Sequence, residues 1–428
     1  MLKIARPMLL AAAAAAFAAV PMAVPLGSPA VAAKRGNAAQ AEVNAFYAAR
    51  GGRLLWLSPS SGNAAQELLQ LLSTSQVEGL NPNRYNIRGL SRAVAQGGQR
   101  ADMMLSAAFV NYVRDTKRDP GIGIIYVDPE LKPGVVSASS LLGQAASAPS
   151  LAGYVANLGW MNPIYGQLRQ ALASRLYRSE QERQLLTLNL ERARALPSGG
   201  HKYAVINSAA ARLYMYENGR VVDSMRVVTG RPDPIAQTPM MNAFIRFAVL
   251  NPYWNSPPDI TARRLAPKVL AGGRKYLNEK GYQLMSDWSD NARVLDPMSV
   301  NWRDVAAGRV EVRLRQKPGP ANSMGRMKFM FPNSQGIWLH DTPEKEKIEE
   351  AGRLQSNGCV RLEDAPRFAR WLFGQSLKPQ GAHPEQRVSL PTPVPLYITY
   401  LTAVPSGTSI TYFDDFYGWD RQRLGRRA

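Results

Sequence analysis

Arg212-Leu213-Tyr214-Met215-Tyr216-Glu217-Asn218-Gly219-Arg220-Val221-Val222 decides the fold of this chain. The run has the period of strands and breaks at Asn218-Gly219, the dipeptide that suits a two-residue hairpin because both central positions of that turn need positive φ. Strands are therefore expected over 203–207, 212–216 and 221–229, and further along over 244–250, 336–340, 396–401 and 409–413. One convincing helix, 363–373, interrupts them, which makes this part mainly β with a supporting helix. The piece 260–309 fits the strand pattern poorly. Its stretches 262–270 and 273–285 read as helical, so it is expected to be an insertion of the kind that forms a lid over a site.

Upstream the period is that of helices. Residues 39–50 carry Val43, Phe46 and Tyr47, residues 63–74 carry Leu68, Leu69, Leu71 and Leu72 behind an Asn63 cap, and residues 102–114 carry Leu105, Ala108, Phe109, Tyr112 and Val113. The Ser-, Ala- and Gly-rich stretch 137–149 reads as a loop or linker. Ser179-Glu180-Gln181-Glu182 then opens a helix with a capping box, and that helix stops before Pro197-Ser198-Gly199-Gly200. The expected architecture is α+β and multidomain: a helical scaffold with its linker over 33–178, and a mainly β domain over 179–428 that holds the insertion.

At the N-terminus Lys3 and Arg6 precede an apolar run over 8–24, and Ala30-Val31-Ala32 has the small-residue pattern of a signal-peptidase site. Residues 1–32 are thus expected to be a cleaved signal peptide, the mature chain to start near Ala33, and the protein to be exported. No later segment offers the ~18 uninterrupted apolar residues that span a bilayer. The formal charge of +20 falls only by the two charges of Lys3 and Arg6 on cleavage, and such an excess favours an anionic partner. For an exported chain that partner is not nucleic acid. Anionic lipid and the carboxylate-rich peptides of a cell wall remain.

Cys359 is the only cysteine among 428 residues, so it cannot form an internal disulfide. An unassisted thiol is mostly protonated at neutral pH, and a neighbouring imidazole is the usual remedy. Of the three histidines, His201 borders a Gly-rich linker and His383 lies in a polar loop, whereas His340 ends the apolar stretch Ile337-Trp338-Leu339. A strand end can hold an imidazole beside a second element that carries Cys359. Gly358, just before the nucleophile, is compatible with two roles: its amide, with that of Cys359, as an oxyanion donor, or simply a bend. Arg361 likewise suits either a forked contact to a substrate carboxylate or an ion pair that fixes the loop.

His340-Asp341-Thr342-Pro343 followed by Ser356-Asn357-Gly358-Cys359-Val360-Arg361-Leu362 resembles the signature of the L,D-transpeptidases, the YkuD-fold enzymes that cross-link peptidoglycan through a cysteine. Further stretches, among them Gln237-Thr238-Pro239, Leu250-Asn251-Pro252-Tyr253-Trp254-Asn255 and Lys328-Phe329-Met330-Phe331-Pro332-Asn333, are similar to the long periplasmic YcbB-type branch. The resemblance implies Cys359 as nucleophile, His340 as base, the Asp341 backbone carbonyl as its orienting group, and the Gly358 amide in the oxyanion site. It also implies substrate contacts from Arg361, Ser356, Asn357, Trp338, Tyr253 and Trp254, the two last being equally compatible with core packing. The partners it implies are tetrapeptide stems, carbapenems as covalent inhibitors and wall-synthesis proteins. No metal or organic cofactor is expected, and the small peptidoglycan-binding module usual in that branch is expected to be missing or reduced, since only some tens of residues separate Pro149 from Ser179.

Overall fold

The computed structural model describes residues 29–425; the leader expected over 1–32 lies, up to residue 28, outside the described residues. The N-terminal part is built from helices α1 (Pro29–Ala49), α2 (Ala64–Ser73), α3 (Ile87–Gln96), α4 (Gly98–Thr116), α5 (Ala138–Ser147), α6 (Leu151–Ala156), α7 (Pro163–Ala173) and α8 (Glu180–Ala193). Helix α4 shows why they pack. Leu105, Ala108, Phe109, Tyr112 and Val113 recur on one face and are buried, with Phe109 wedged between Trp56 and Trp160 at ring distances of 5.3 and 5.1 Å.

One expectation is corrected here. The stretch 137–149 is not a linker. Ser137 Oγ accepts the Ser140 amide, and Ala138, Leu141, Leu142 and Ala145 enter the core at helical spacing, so α5 forms although its small residues disguise the periodicity. The scaffold is mostly helical, as expected, and it also lends a strand, β1 (Ile125–Tyr126), that pairs in parallel with the sheet of the second domain.

That sheet starts with β2 (Lys202–Asn207), β3 (Arg212–Glu217), β4 (Arg220–Gly230) and β5 (Met241–Leu250). Asn218 and Gly219 take φ of 49° and 75°, so the β3–β4 hairpin has the turn its sequence demands. Next comes an excursion with β6 (Trp254–Ser256), β7 (Tyr282–Met285), β8 (Val294–Leu295) and β9 (Arg313–Gln316), after which the main sheet resumes with β10 (Met327–Met330) and β11 (Leu339–His340). It continues with β12 (Leu354–Ser356), β13 (Val360–Leu362) and β14 (Gln386–Thr399), and the hairpin β15 (Ala403–Ser406) and β16 (Ser409–Tyr412) stands apart. Strand β14 pairs with both β2 and β5, which closes the order β5-β10-β11-β13-β4-β3-β2-β14 into a barrel.

Strand periodicity divides the barrel's two faces. Ala204, Ile206, Leu213, Met215, Leu396 and Ile398 point into the barrel core, together with Phe368 and Leu372 of the helix Ala365–Phe373. Their neighbours Tyr203, Val205, Tyr216 and Tyr397 point out and join the helical core. The scaffold therefore covers the outer face of β2, β3 and β14, and each aromatic ring so buried contributes about 1.5–3 kcal/mol to holding the two parts together.

The excursion is wider than the expected 260–309. Strands β6 and β9 lie outside those limits, yet they belong to its four-stranded sheet, ordered β6-β9-β7-β8, and it has its own core around Val269, Leu277, Trp302 and Leu314. The helix expected over 273–285 ends at Glu279. Gly281, at φ 70°, turns the chain, and Tyr282 and Leu284 alternate into the core as part of β7.

Candidate active site

The parallel pairing of β11 with β13 places the chemistry. Leu339 registers with Val360 and His340 with Arg361, and the Val360 amide donates to the Trp338 carbonyl at 2.9 Å. Leu339 and Val360 are buried in the barrel core. By the period of two, Trp338, His340, Cys359 and Arg361 all face the other way. All four line a cleft of about 920 Å³, whose far wall includes Trp254, Arg263 and Arg264 of the insertion.

His340 Nδ1 lies 2.5 Å from the Asp341 carbonyl. Because that oxygen can only accept, Nδ1 carries the proton and Nε2 keeps its lone pair. The carbonyl is held in turn: the Asp341 carboxylate accepts the Arg326 amide at 3.0 Å and Lys345 Nζ at 2.8 Å, and the Asp341 amide donates to Met327 at 2.9 Å. Burial, reinforced by the charge of Arg361, pushes the imidazole pKa down to about 4.

Cys359 is partly exposed, and its thiol donates to the Gly336 carbonyl at 3.6 Å. No hydrogen bond joins it to His340; the two are diagonal neighbours on adjacent strands, with backbones roughly 8 Å apart. Burial raises the thiol to about 11, against the pull of the Trp338 amide and of Arg361. At rest the pair is therefore neutral thiol and neutral imidazole.

The loop before the nucleophile differs from expectation. Gly358 does not offer its amide to an oxyanion, because that amide donates to Ser356 Oγ at 3.1 Å while Ser356 Oγ donates to the Cys359 carbonyl at 2.6 Å. Ser356, largely buried at the edge of the cleft, thus staples the loop. The Cys359 amide has no partner among the described residues. Gly358 itself is required by shape: at φ 110°, a Cβ would meet Ile337 Cδ1 at 2.9 Å.

Arg361 arrives already engaged, its Nη1 lying 2.5 Å from Glu344 Oε2, so the loop-fixing role is the one the geometry supports. Asn357 Oδ1 accepts from Arg231 and, at 3.4 Å, from Arg264, which joins the loop to the insertion. Trp338 lines the cleft and packs edge-on against Phe331 at 6.2 Å. Tyr253 and Trp254 serve both readings: both line the cleft, while Trp254 also packs against Tyr282 and Tyr253 carries Arg315 over its ring at 4.2 Å. His201 and His383 are exposed and outside the cleft.

Thr238, quoted above only as part of a stretch that carries the resemblance, and Tyr417, which the sequence did not single out, complete the support. Buried Thr238 donates from Oγ1 to the Gly358 carbonyl at 2.8 Å and accepts the Gly230 amide at 2.8 Å, and Tyr417 Oη donates to the Gly230 carbonyl at 2.8 Å. A threonine before a proline carries no signal of this by itself.

Residues 201–394 match the family model of the YkuD L,D-transpeptidase catalytic domain, and residues 41–172 match that of the Scaffold domain. The chain thus carries a YkuD-family L,D-transpeptidase catalytic domain on a helical Scaffold domain. A Haemophilus influenzae protein named "Putative L,D-transpeptidase" is 26% identical over 391 residues, covering 88% of this chain and 78% of that protein. An L,D-transpeptidase structure from Mycobacterium smegmatis aligns over 46% of this chain and 58% of its own, at 12% identity and a TM-score of 0.21, a likeness too low to bear on the site.

Proposed function

We propose that the protein is a periplasmic peptidoglycan L,D-transpeptidase that forms 3→3 cross-links between tetrapeptide stems through a thioester on Cys359. The observation that carries this reading is the strand register that turns His340 and Cys359 onto one face of one cleft. Substrate entering the cleft displaces the thiol from Gly336. The thiol proton passes to His340 Nε2, and the sulfur attacks the carbonyl of the third stem residue, an L-centre of meso-diaminopimelate. The negative oxygen that develops is met by the Cys359 amide, the unpartnered donor at the site. As the tetrahedral species collapses, the C–N bond breaks, His340 returns its proton to the departing D-alanine amine, and the thioester remains.

The side-chain amine of a second stem then attacks the thioester, gives a proton to His340 and forms the new amide, while sulfur leaves and regains its proton. Carbapenems acylate the same sulfur. Mass spectrometry of the products from the mature protein and disaccharide-tetrapeptide tests the reading. Cross-linked dimer is expected. Trimmed tripeptide alone would replace the acceptor amine with water and make the enzyme an L,D-carboxypeptidase, and unchanged substrate would leave a wall-binding protein without activity.

A further inference from the structure

Across the cleft from Cys359, Thr261–Leu265 of the insertion is wound as a π-helix, a rare form that recurs at functional sites. Both ends of the turn are held: Thr261 Oγ1 bonds Ser256 Oγ at 3.0 Å, and Leu265 is buried in the insertion's core. Between them Arg263 and Arg264 are exposed and line the cleft. Neither has a carboxylate within ion-pair distance among the described residues, and the contact Arg264 makes is with Asn357, two positions before the nucleophile. Arg231 reaches the same Asn357 oxygen, with its carboxylate neighbour Asp233 3.9 Å away.

The other cations of the cleft are already compensated, Lys328 by Glu385 and Arg361 by Glu344. Asp233 and Asp259 are the carboxylates among its lining residues. Arg263 and Arg264 therefore sit beside the catalytic loop without an ion-pair partner among the described residues, and Arg231, loosely paired with Asp233, adjoins them. Guanidinium forks fit carboxylates, and a concave wall concentrates the field that draws them in.

We propose that Arg231, Arg263 and Arg264 form a carboxylate-binding site that selects donor stems by charge without taking part in bond breaking. The identity of the ligand rests on the transpeptidase reading; the presence of an anion site does not. A donor stem has two carboxylates near the scissile carbonyl, one on the side chain of its third residue and one at the C-terminus of the departing D-alanine.

The first test compares alkylation of Cys359 in the full chain by iodoacetate and by iodoacetamide, reagents of similar size that differ in charge. The double variant Arg263→Gln, Arg264→Gln is expected to lower the iodoacetate-to-iodoacetamide rate ratio by roughly tenfold, and added salt to move the unmodified protein the same way. An unchanged ratio overturns the site. The second test measures kcat/KM for stems amidated at one carboxylate or the other. One amidated stem should lose roughly tenfold with the unmodified protein and nothing further with the double variant, and which one it is names the carboxylate. Identical discrimination by both proteins overturns the assignment to the stem even if the alkylation ratio shifts. If no stem is turned over by the unmodified protein, the failure falls on the transpeptidase reading, and the alkylation ratio still decides the anion site.

Discussion

The catalytic loop and the insertion that faces it are held on opposite terms. Between Ser356 and Val360 the backbone is bound in place, the Cys359 amide excepted: Gly358 through Ser356 and Thr238, the Cys359 carbonyl through Ser356, and the Val360 amide through Trp338. The insertion instead keeps a small core of its own and turns Arg263 and Arg264 to the cleft with no acidic partner among the described residues. Bond breaking needs a nucleophile fixed to fractions of an ångström, so that side is locked. Recognition of a charged, flexible peptide needs charge that is still free to be matched, so that side is left unpaired.

The widest separation between the two sides comes from His340. His340→Ala should slow acylation of Cys359 by a carbapenem ~10²–10⁴-fold, the usual worth of a general base. Stopped-flow or mass-resolved kinetics would read this, and a loss of less than threefold would mean that the imidazole is not the base.

Thr238→Val sharpens the contrast, because it keeps the shape and removes both hydrogen bonds that tie Gly358 to Gly230. Leaving those buried backbone groups without partners should cost about 1–3 kcal/mol of stability, seen in denaturant unfolding, and slow acylation at the same time. Thr238→Ser, which retains the hydroxyl, should recover most of both. A fully active, fully stable Thr238→Val protein would show that the loop is held by other means.

A smaller effect concerns pH. With the thiol near 11 and the imidazole near 4, the free protein holds a neutral pair across the neutral range. Alkylation by iodoacetamide should then climb about tenfold per pH unit from 7 to 10 as thiolate forms, with no plateau at neutral pH. The base is neutral at every pH above about 4, so loss of carbapenem capture to imidazole protonation should appear only as pH falls towards that value. A plateau of alkylation reaching down to pH 6 would mean a preformed thiolate–imidazolium pair instead.

Much of this was legible in the residues. The period of two over 203–229 and Asn218-Gly219 give the hairpin, and a lone cysteine leaves His340 as the imidazole poised at a strand end. Closure of the barrel was not legible, because it depends on β14 reaching two strands far away in sequence, and only the end of β14, expected over 396–401, has a plain strand pattern. Helix α5 was hidden by alanine and serine, residues that periodicity reads poorly, and β7 by the helical run before Gly281. The role of the Gly358 amide could not be read either, since it depends on where the Ser356 hydroxyl points, and no spacing encodes that.

The claim on which the rest depends is that the Cys359 sulfur is the atom acylated by a stem peptide. Intact-protein mass spectrometry after brief mixing with a tetrapeptide stem, followed by digestion, tests it directly. The account predicts an adduct equal to the stem less D-alanine, on the peptide that contains Cys359, labile to hydroxylamine as a thioester is, and absent from Cys359→Ala. The same adduct on the Cys359→Ala protein, or on another residue of the unmodified one, would contradict it.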